Sequence, residues 1–362
     1  MVEITLENVT KRINGIPILK NINLEIPDRS LFCILGPPRS GKSMLLRIIA
    51  GLEIPDEGKV FFNGIDVTNK GPKERNVSVV FQDFALYPHM NLYKNIASPL
   101  TIRKLDKNEI EKKVREISKL LKIEHRLNHF SSQLSGGEKQ RAAIARALAK
   151  NADLILLDEP LVRLDFKIRE DLRAELVKLK KESGKTIVVF TSDPIDALSL
   201  GEITAIMNEG SIVQVGNTMD IYKMPRTLFA GKYLGIVEMN TLTGEIYLEK
   251  DKKYLRTSLF SIELSKDIDF LGEVIIGIRP EHININELES QKLTSSNLVS
   301  LNGIITLTEV IGSDTIVHLN VNNEKIQILV PAIYKKPIGE KISISIDTSN
   351  IYLFKKTGEL IG

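Results

Sequence analysis

Gly36-Pro37-Pro38-Arg39-Ser40-Gly41-Lys42-Ser43 follows an apolar run from Leu31 to Leu35 and precedes Met44 to Ala50, whose apolar residues recur at helical spacing. The pattern G-x-x-x-x-G-K-S between a strand and a helix is that of a phosphate-binding loop (P-loop). Its glycines let the backbone bend until several N–H groups face one anion, and the helix N-terminus adds partial positive charge. Residues Gly36, Pro37, Pro38, Arg39, Ser40, Gly41, Lys42, Ser43 and Met44 are therefore expected to surround the phosphates of a nucleotide. Lys42 is expected to reach the β- and γ-phosphates and Ser43 to offer its hydroxyl to Mg²⁺. The bland alternative is a glycine-rich strand-to-helix turn. The apolar elements on both sides weigh against it.

The totals narrow the class. The 362 residues suffice for two domains or more, and 43% hydrophobic with 26% charged residues is ordinary for a globular chain. A net charge of +3 gives no case for nucleic acid on bulk charge. The single cysteine, Cys33, lies in the strand before the loop, so it reads as a buried structural thiol and fits a reducing compartment. The first residues, Met1 to Glu7, alternate like a strand and carry acids, so no signal peptide is expected. No apolar run approaches the ~20 residues of a membrane span, and any membrane role is expected to come through a partner.

Working outward, residues 2–9 and 20–26 read as strands with a turn at Asn14-Gly15, and Lys59 to Phe62 and Val77 to Phe81 as two more, the latter ending in Gln82. From about 84 to 134 the character changes. Ile110, Val114, Ile117 and Leu121 recur at helical spacing, which predicts a helical insertion. Ser135 and Glu138 then stand three apart ahead of a helix through Leu148, a capping box. Read blandly it is a well-capped helix; opened by Gly136 and Gly137, it is also a candidate second anion site.

Leu154 to Leu157 reads as a short buried strand with Asp158-Glu159 at its end, where open α/β sheets bind ligands. In a chain with a P-loop, Asp158 is expected to hold Mg²⁺ and Glu159 to polarise the attacking water. A helix over 167–182 and a buried strand over 186–191 follow, then strands near 202–207 and 211–215 and two short helices. Beyond residue 236 short strands recur at even spacing, which predicts a small all-β barrel.

Together these motifs resemble those of the ATPase subunits of ABC transporters: the P-loop, Gln82 as the Q-loop, Leu134 to Gly137 as the signature, and Leu156 to Pro160 as Walker B, in the family's order. Val80-Phe81-Gln82 with Ala85 to His89, and Gly277 to His282 with Glu309 to Ser313, are similar to the importer branch typified by maltose and other sugar transporters with a C-terminal TOBE (OB-like) domain. The resemblance implies an α/β P-loop NTPase fold over 1–235, with a helical subdomain at about 84–134, and an OB-like regulatory domain over 236–362. It implies a head-to-tail dimer with a second ATPase subunit, either a homodimer or a heterodimer, in which ATP lies between one P-loop and the partner's Ser135, Gly136, Gly137 and Glu138. It further implies that Gln82 shares Mg²⁺ with Ser43 and Asp158, that Gln82 and Glu159 serve catalysis, and that transmembrane permease subunits and, indirectly, a solute-binding protein are partners at the cytoplasmic face of the membrane.

The chain departs from that pattern in four places. Ser192 occupies the position of the family's switch histidine, and Arg163 stands in the D-loop before Leu164-Asp165. Ile13 replaces the aromatic residue that stacks on adenine, and the P-loop carries Pro38-Arg39 and Ser43-Met44. Losing a positioned proton-handling group costs about 10²- to 10⁴-fold. Two readings follow: an importer ATPase for a sugar or related solute, or a weakly catalytic subunit that lends its signature to an active partner. A ribosome- or nucleic-acid-directed ATPase lacks support, because the chain has neither a second core nor a coiled-coil insertion.

Overall fold

The computed structural model describes residues 2–162, 164–264, 268–287 and 298–361; the D-loop Arg163 lies outside them. The chain divides into two compact units, 1–219 and 220–362.

The first unit runs β1 (Ile4–Ile13), β2 (Ile16–Ile26), β3 (Leu31–Leu35), α1 (Lys42–Ala50), β4 (Glu57–Phe62), β5 (Ile65–Asp66), β6 (Val77–Val80), α2 (Leu92–Ile102), α3 (Lys107–Leu120), α4 (Gly136–Ala149), β7 (Leu154–Asp158), α5 (Phe166–Ser183), β8 (Thr186–Thr191), α6 (Pro194–Leu200), β9 (Ile203–Asn208) and β10 (Ser211–Asn217). Helix α7 (Thr218–Lys223) carries the chain across the boundary.

Two sheets build this unit. The central one has the order β10-β9-β3-β8-β7-β6; β9, β3, β8, β7 and β6 are mutually parallel, and β10 pairs antiparallel with β9. Its strands are buried on both faces, as in Leu31–Leu35 and Thr186–Thr191. The second sheet, β2-β1-β4-β5, is antiparallel. Ile4, Leu6, Leu24 and Val60 from it share one core with Phe32, Leu46 and Phe190.

The parallel register decides where chemistry can occur. Leu35 lies beside Thr191, Asp158 beside Phe190, and Val80 beside Leu157. The strands thus end together, and the residues that follow them share one edge of the sheet.

The insertion is helical as expected. In α3, Asp106 caps the N-terminus by accepting from the N–H groups of Asn108 and Glu109, and Ile110 and Val114 are buried. Pro99 lies inside α2. Among the described residues, no helix is long and apolar enough to cross a membrane.

The second unit carries α8 (Leu228–Tyr233) and the strands β11 (Asn240–Glu249), β12 (Lys252–Thr257), β13 (Ser261–Glu263), β14 (Gly272–Ile278), β15 (Ile283–Ile285), β16 (Leu298–Ile311), β17 (Asp314–Val321), β18 (Glu324–Val330), β19 (Lys341–Asp347) and β20 (Ile351–Lys355). They form two antiparallel five-stranded sheets, β13-β12-β11-β14-β20 and β15-β19-β16-β17-β18. One core is shared by both, with Leu242, Ile276 and Leu353 from the first and Val317, Ile328 and Ile344 from the second. The expected all-β domain is therefore present, as two sheets over a common core.

The division between units precedes the 235/236 position read from the sequence. The reason is Arg279, 1% exposed, which donates to the carbonyls of Tyr222, Gly231 (3.5 Å) and Leu234 (3.3 Å). Its guanidinium also lies 3.7 Å from the Tyr222 ring centre. The segment 220–234 thus supplies acceptors for a cation buried in the β unit.

Candidate nucleotide-binding site

The P-loop leaves β3 and turns at Arg39 and Gly41, both in the left-handed region at φ 68° and 102°. Gly41 has further reason to be glycine: a Cβ there would lie 2.8 Å from Leu19 Cδ2 and 3.0 Å from the Ile18 carbonyl oxygen. Pro37 and Pro38 carry no N–H. The N–H of Gly36 donates to Thr191 O (3.2 Å) and that of Ser40 to Pro37 O (3.1 Å). Reception of an anion thus falls to the N–H groups of Arg39, Gly41, Lys42 and Ser43. Gly41, at the N-cap of α1, supplies no side chain to satisfy the first turn. The Met44 side chain packs on the core, which leaves only its backbone beside the loop.

Lys42 is 6% exposed and folds back over the loop, donating to Gly36 O (2.7 Å) and Pro37 O (3.1 Å). Its ammonium also lies 3.7 Å from Glu159 Oε1. Burial holds this amine below the usual lysine range, against the opposing pull of Glu159 and Asp158. Ser43 Oγ stands 3.5 Å from Asp158 Oδ1. Asp158 is pushed above the usual carboxylate range, by burial first and by the charge of Glu159 second.

Glu159 adopts a left-handed backbone at φ 48°. Its N–H donates to Phe190 O (2.8 Å), and its Oε2 accepts from the Ser192 N–H (3.1 Å). Ser192 therefore touches the acidic residue through the main chain, a contact that residue type alone does not reveal. The structure brings together Lys42, Ser43, Asp158, Glu159 and Ser192, at or just beyond the ends of β3, β7 and β8.

The hydroxyl and carboxylate oxygens of Ser43 and Asp158 suit a small hard cation. No group of three or more His, Cys, Asp or Glu side chains poised for a metal occurs among the described residues. The remaining ligands would come from phosphate and water, which is how Mg²⁺ is ordinarily held.

Gln82 lies just past β6 in a turn. The loop after it is clasped from two sides. Arg146 of α4 donates to Ala85 O (2.7 Å) and Phe84 O (3.3 Å) and covers the Tyr87 ring at 5.0 Å. Asn95 of α2 accepts from Tyr87 N (2.8 Å) and donates to the carbonyls of Tyr87, Met90 and Asn91. Beside this loop a cavity of about 700 Å³ is lined by Phe81, Tyr87, Pro99, Ile102, Arg146 and Lys150, among others.

The Ser135–Glu138 turn forms a capping box. Ser135 N donates to Glu138 Oε2 (2.8 Å), and Glu138 N donates to Ser135 Oγ (3.3 Å). Glu138 also pairs with Arg126 at 2.7 Å. These bonds face the helical insertion and not Lys42 or Glu159. Gly136 and Gly137 open α4 as expected, and a Cβ on Gly137 would lie 2.7 Å from Ile168 Cγ2. Ile13 sits at the tip of the β1–β2 hairpin, 45% exposed.

Comparison with known proteins agrees with this geometry. Residues 19–162 match the ABC transporter family and residues 276–354 the TOBE domain. A trehalose/maltose import ATP-binding protein from Thermococcus litoralis is 34% identical over 99% of this chain and 98% of its own length. A spermidine/putrescine import ATP-binding protein from Thermotoga maritima is 39% identical over 82% of this chain and 81% of its own. Among solved structures, a dimeric ATP-binding cassette in a post-hydrolysis state with ADP and Pi superposes with a TM-score of 0.55 at 38% identity, covering 59% of this chain and 98% of that one. With its P-loop, its paired strand-end acids and its C-terminal β unit, the chain belongs to the ABC transporter family, as an ATPase subunit that carries a TOBE domain.

Proposed function

We propose that this chain is the nucleotide-binding subunit of an ABC importer, binding and hydrolysing Mg-ATP in a head-to-tail dimer to drive uptake of a sugar or related solute. The observation that carries the reading is the convergence of Lys42, Ser43, Asp158 and Glu159 at one sheet edge, with Glu159 oriented by the Ser192 N–H. In this reading the N–H groups of Arg39, Gly41, Lys42 and Ser43 receive the β- and γ-phosphates. Lys42 exchanges its carbonyl partners and Glu159 for phosphate oxygens. Ser43, Asp158 and Gln82 hold Mg²⁺, which when bound neutralises charge on the phosphates. Release from Lys42 leaves the Glu159 carboxylate to orient water and accept its proton.

Each P-loop alone leaves a nucleotide half exposed. The partner's Ser135, Gly136, Gly137 and Glu138 supply a second helix N-terminus to close it. In this reading the cavity beside Gln82 and the clasped 84–87 loop receives a helix of the permease, and the chain works as a peripheral subunit on the cytoplasmic face of the membrane. A sugar-like solute is favoured because the similarity to the trehalose/maltose protein runs over 99% of this chain, whereas that to the polyamine protein runs over 82%.

The test is ATP turnover by the purified chain, at concentrations that permit dimerisation, beside Glu159→Gln and Ser192→His. Turnover in the wild type that vanishes in Glu159→Gln supports a self-sufficient motor. A silent wild type revived by Ser192→His overturns it and makes the chain the weak half of a pair.

A further inference from the structure

The turn that opens α4 sets helix stability against anion binding. Ser135 N donates to Glu138 Oε2 (2.8 Å), Glu138 N to Ser135 Oγ (3.3 Å) and Lys139 N to Ser135 O (2.9 Å). The N–H groups of Gly136 and Gly137 are left to receive an anion. The capping box that steadies this turn also puts a full negative charge on it. A helix N-terminus contributes about half a positive charge, so the Glu138 carboxylate by itself would more than cancel the attraction. Burial pushes that carboxyl up, but the bonds from the Ser135 N–H and from Arg126 outweigh it and hold the group below the usual carboxylate range. It is therefore ionised at neutral pH.

Arg126 resolves the conflict. It ends a single helical turn, Glu124–Arg126, between α3 and α4. Its Nε donates to Glu138 Oε1 at 2.7 Å while Oε2 keeps the Ser135 N–H, so both carboxylate oxygens are engaged. The segment around it is fixed to α2, where Leu92 N donates to His129 O and Tyr93 N to Leu127 O, both at 2.8 Å. His129 Nε2 stands 3.4 Å from Arg126 Nη1, and His125 Nε2 stands 4.0 Å from Glu138 Oε1. Of these three neighbours Arg126 alone is charged whatever the pH.

We infer that Arg126 is a positioning residue of this turn: by pairing with Glu138 it cancels the carboxylate that the capping box brings to the Gly136-Gly137 anion site, and so keeps that site open to the triphosphate held by a second copy of this chain. The inference rests on the head-to-tail dimer proposed above. A mere brace between the insertion and α4 would suffer equally from the loss of either partner. A neutralising cation makes the outcome follow the local charge instead.

The test is the Mg-ATP concentration at which the full chain half-dimerises, measured by light scattering in a Glu159→Gln background so that hydrolysis does not consume the dimer. Arg126→Gln keeps a hydrogen-bond donor beside Glu138, and Glu138→Gln keeps the capping box, which accepts either residue. Arg126→Gln leaves one uncompensated negative charge and should raise the half-dimerising concentration by about 5- to 30-fold. Glu138→Gln frees the guanidinium and should lower it by about threefold or more. The double variant, again neutral, should return towards the parent. These differences should shrink between about 0.05 M and 0.5 M salt. Binding of ATP to each chain's own P-loop, measured at dilutions that prevent dimerisation, should not separate the four proteins. A double variant as impaired as Arg126→Gln, or Glu138→Gln impaired to the same degree, assigns the pair to bracing and overturns the inference. A parent chain that binds ATP without dimerising overturns the head-to-tail self-dimer, and the inference with it; one that binds no ATP overturns the nucleotide reading itself.

Discussion

The Ser192 N–H donates to Glu159 Oε2 at 3.1 Å, joining the ends of the neighbouring strands β8 and β7. A main-chain donor holds the carboxylate, so its direction does not depend on the side chain at 192. Glu159→Gln retains an oxygen that can accept this bond but lacks a basic carboxylate. Turnover is expected to fall about 10²- to 10⁴-fold, while the ATP dissociation constant moves by less than about threefold. Parallel turnover and nucleotide-binding measurements check this. A collapse of binding together with turnover would assign Glu159 to building the pocket.

How far these features were legible depends on whether a residue type betrays its partner. Gly41, Lys42, Ser135 and Glu138 announce their roles, because a left-handed turn, a phosphate cradle and a capping box each require few residue types. The Asn14-Gly15 hairpin was equally plain. The Ser192–Glu159 contact was not, since every residue but proline offers an N–H. β12 leaves only a weak strand signal, because Leu255 is its one fully buried residue amid Lys252, Lys253 and Arg256. The start of the second unit was hidden for a different reason. Arg279 binds carbonyls 45 to 57 positions earlier in the chain, and carbonyls leave no trace in a sequence.

Asp158 ties stability to function in opposite directions. Its carboxyl is held above the usual range by burial and by Glu159, so the folded chain binds this proton more tightly than the unfolded chain does. The resulting cost is fully present above the raised folded value and fades as pH falls through it towards the unfolded value near 3.8. Asp158→Asn removes the charge. In nucleotide-free protein its melting temperature is expected to exceed that of the wild type at pH 7.5. The gap should close near pH 4, and Mg²⁺-dependent turnover should be lost. Thermal melts across that range decide it; a variant less stable than wild type at pH 7.5 would contradict the assignment.

Gly137 at the start of α4 lies close against Ile168 of α5. A Cβ there meets Ile168 Cγ2 at 2.7 Å and Cδ1 at 3.0 Å. Because Ile168 is β-branched, it cannot simply swing its near methyl away. Gly137→Ala is expected to destabilise the chain by about 1–3 kcal/mol through overpacking. Adding Ile168→Ala should return part of that loss, because the new methyl then enters vacated space. Denaturation of both single variants and the double variant closes the cycle. Strict additivity would show that the glycine is needed for some other reason.

Arg279 makes a different demand on the second unit. Its guanidinium serves the carbonyls of Tyr222, Gly231 and Leu234 and covers the Tyr222 ring, while the Tyr222 hydroxyl donates to Glu281. Arg279→Leu keeps apolar bulk but leaves these acceptors without a donor in a place that excludes water. Unsatisfied buried groups of this kind cost about 1–3 kcal/mol each, so a loss of about 3 kcal/mol or more is expected. Arg279→Lys keeps the charge without the planar fork and should recover less than half of it. The damage should also be local, with α8 and the segment before it becoming accessible to limited proteolysis ahead of global unfolding. If Arg279→Leu melts with the wild type and protects 220–234 equally well, apolar packing alone holds that segment, and the buried cation is dispensable to the fold.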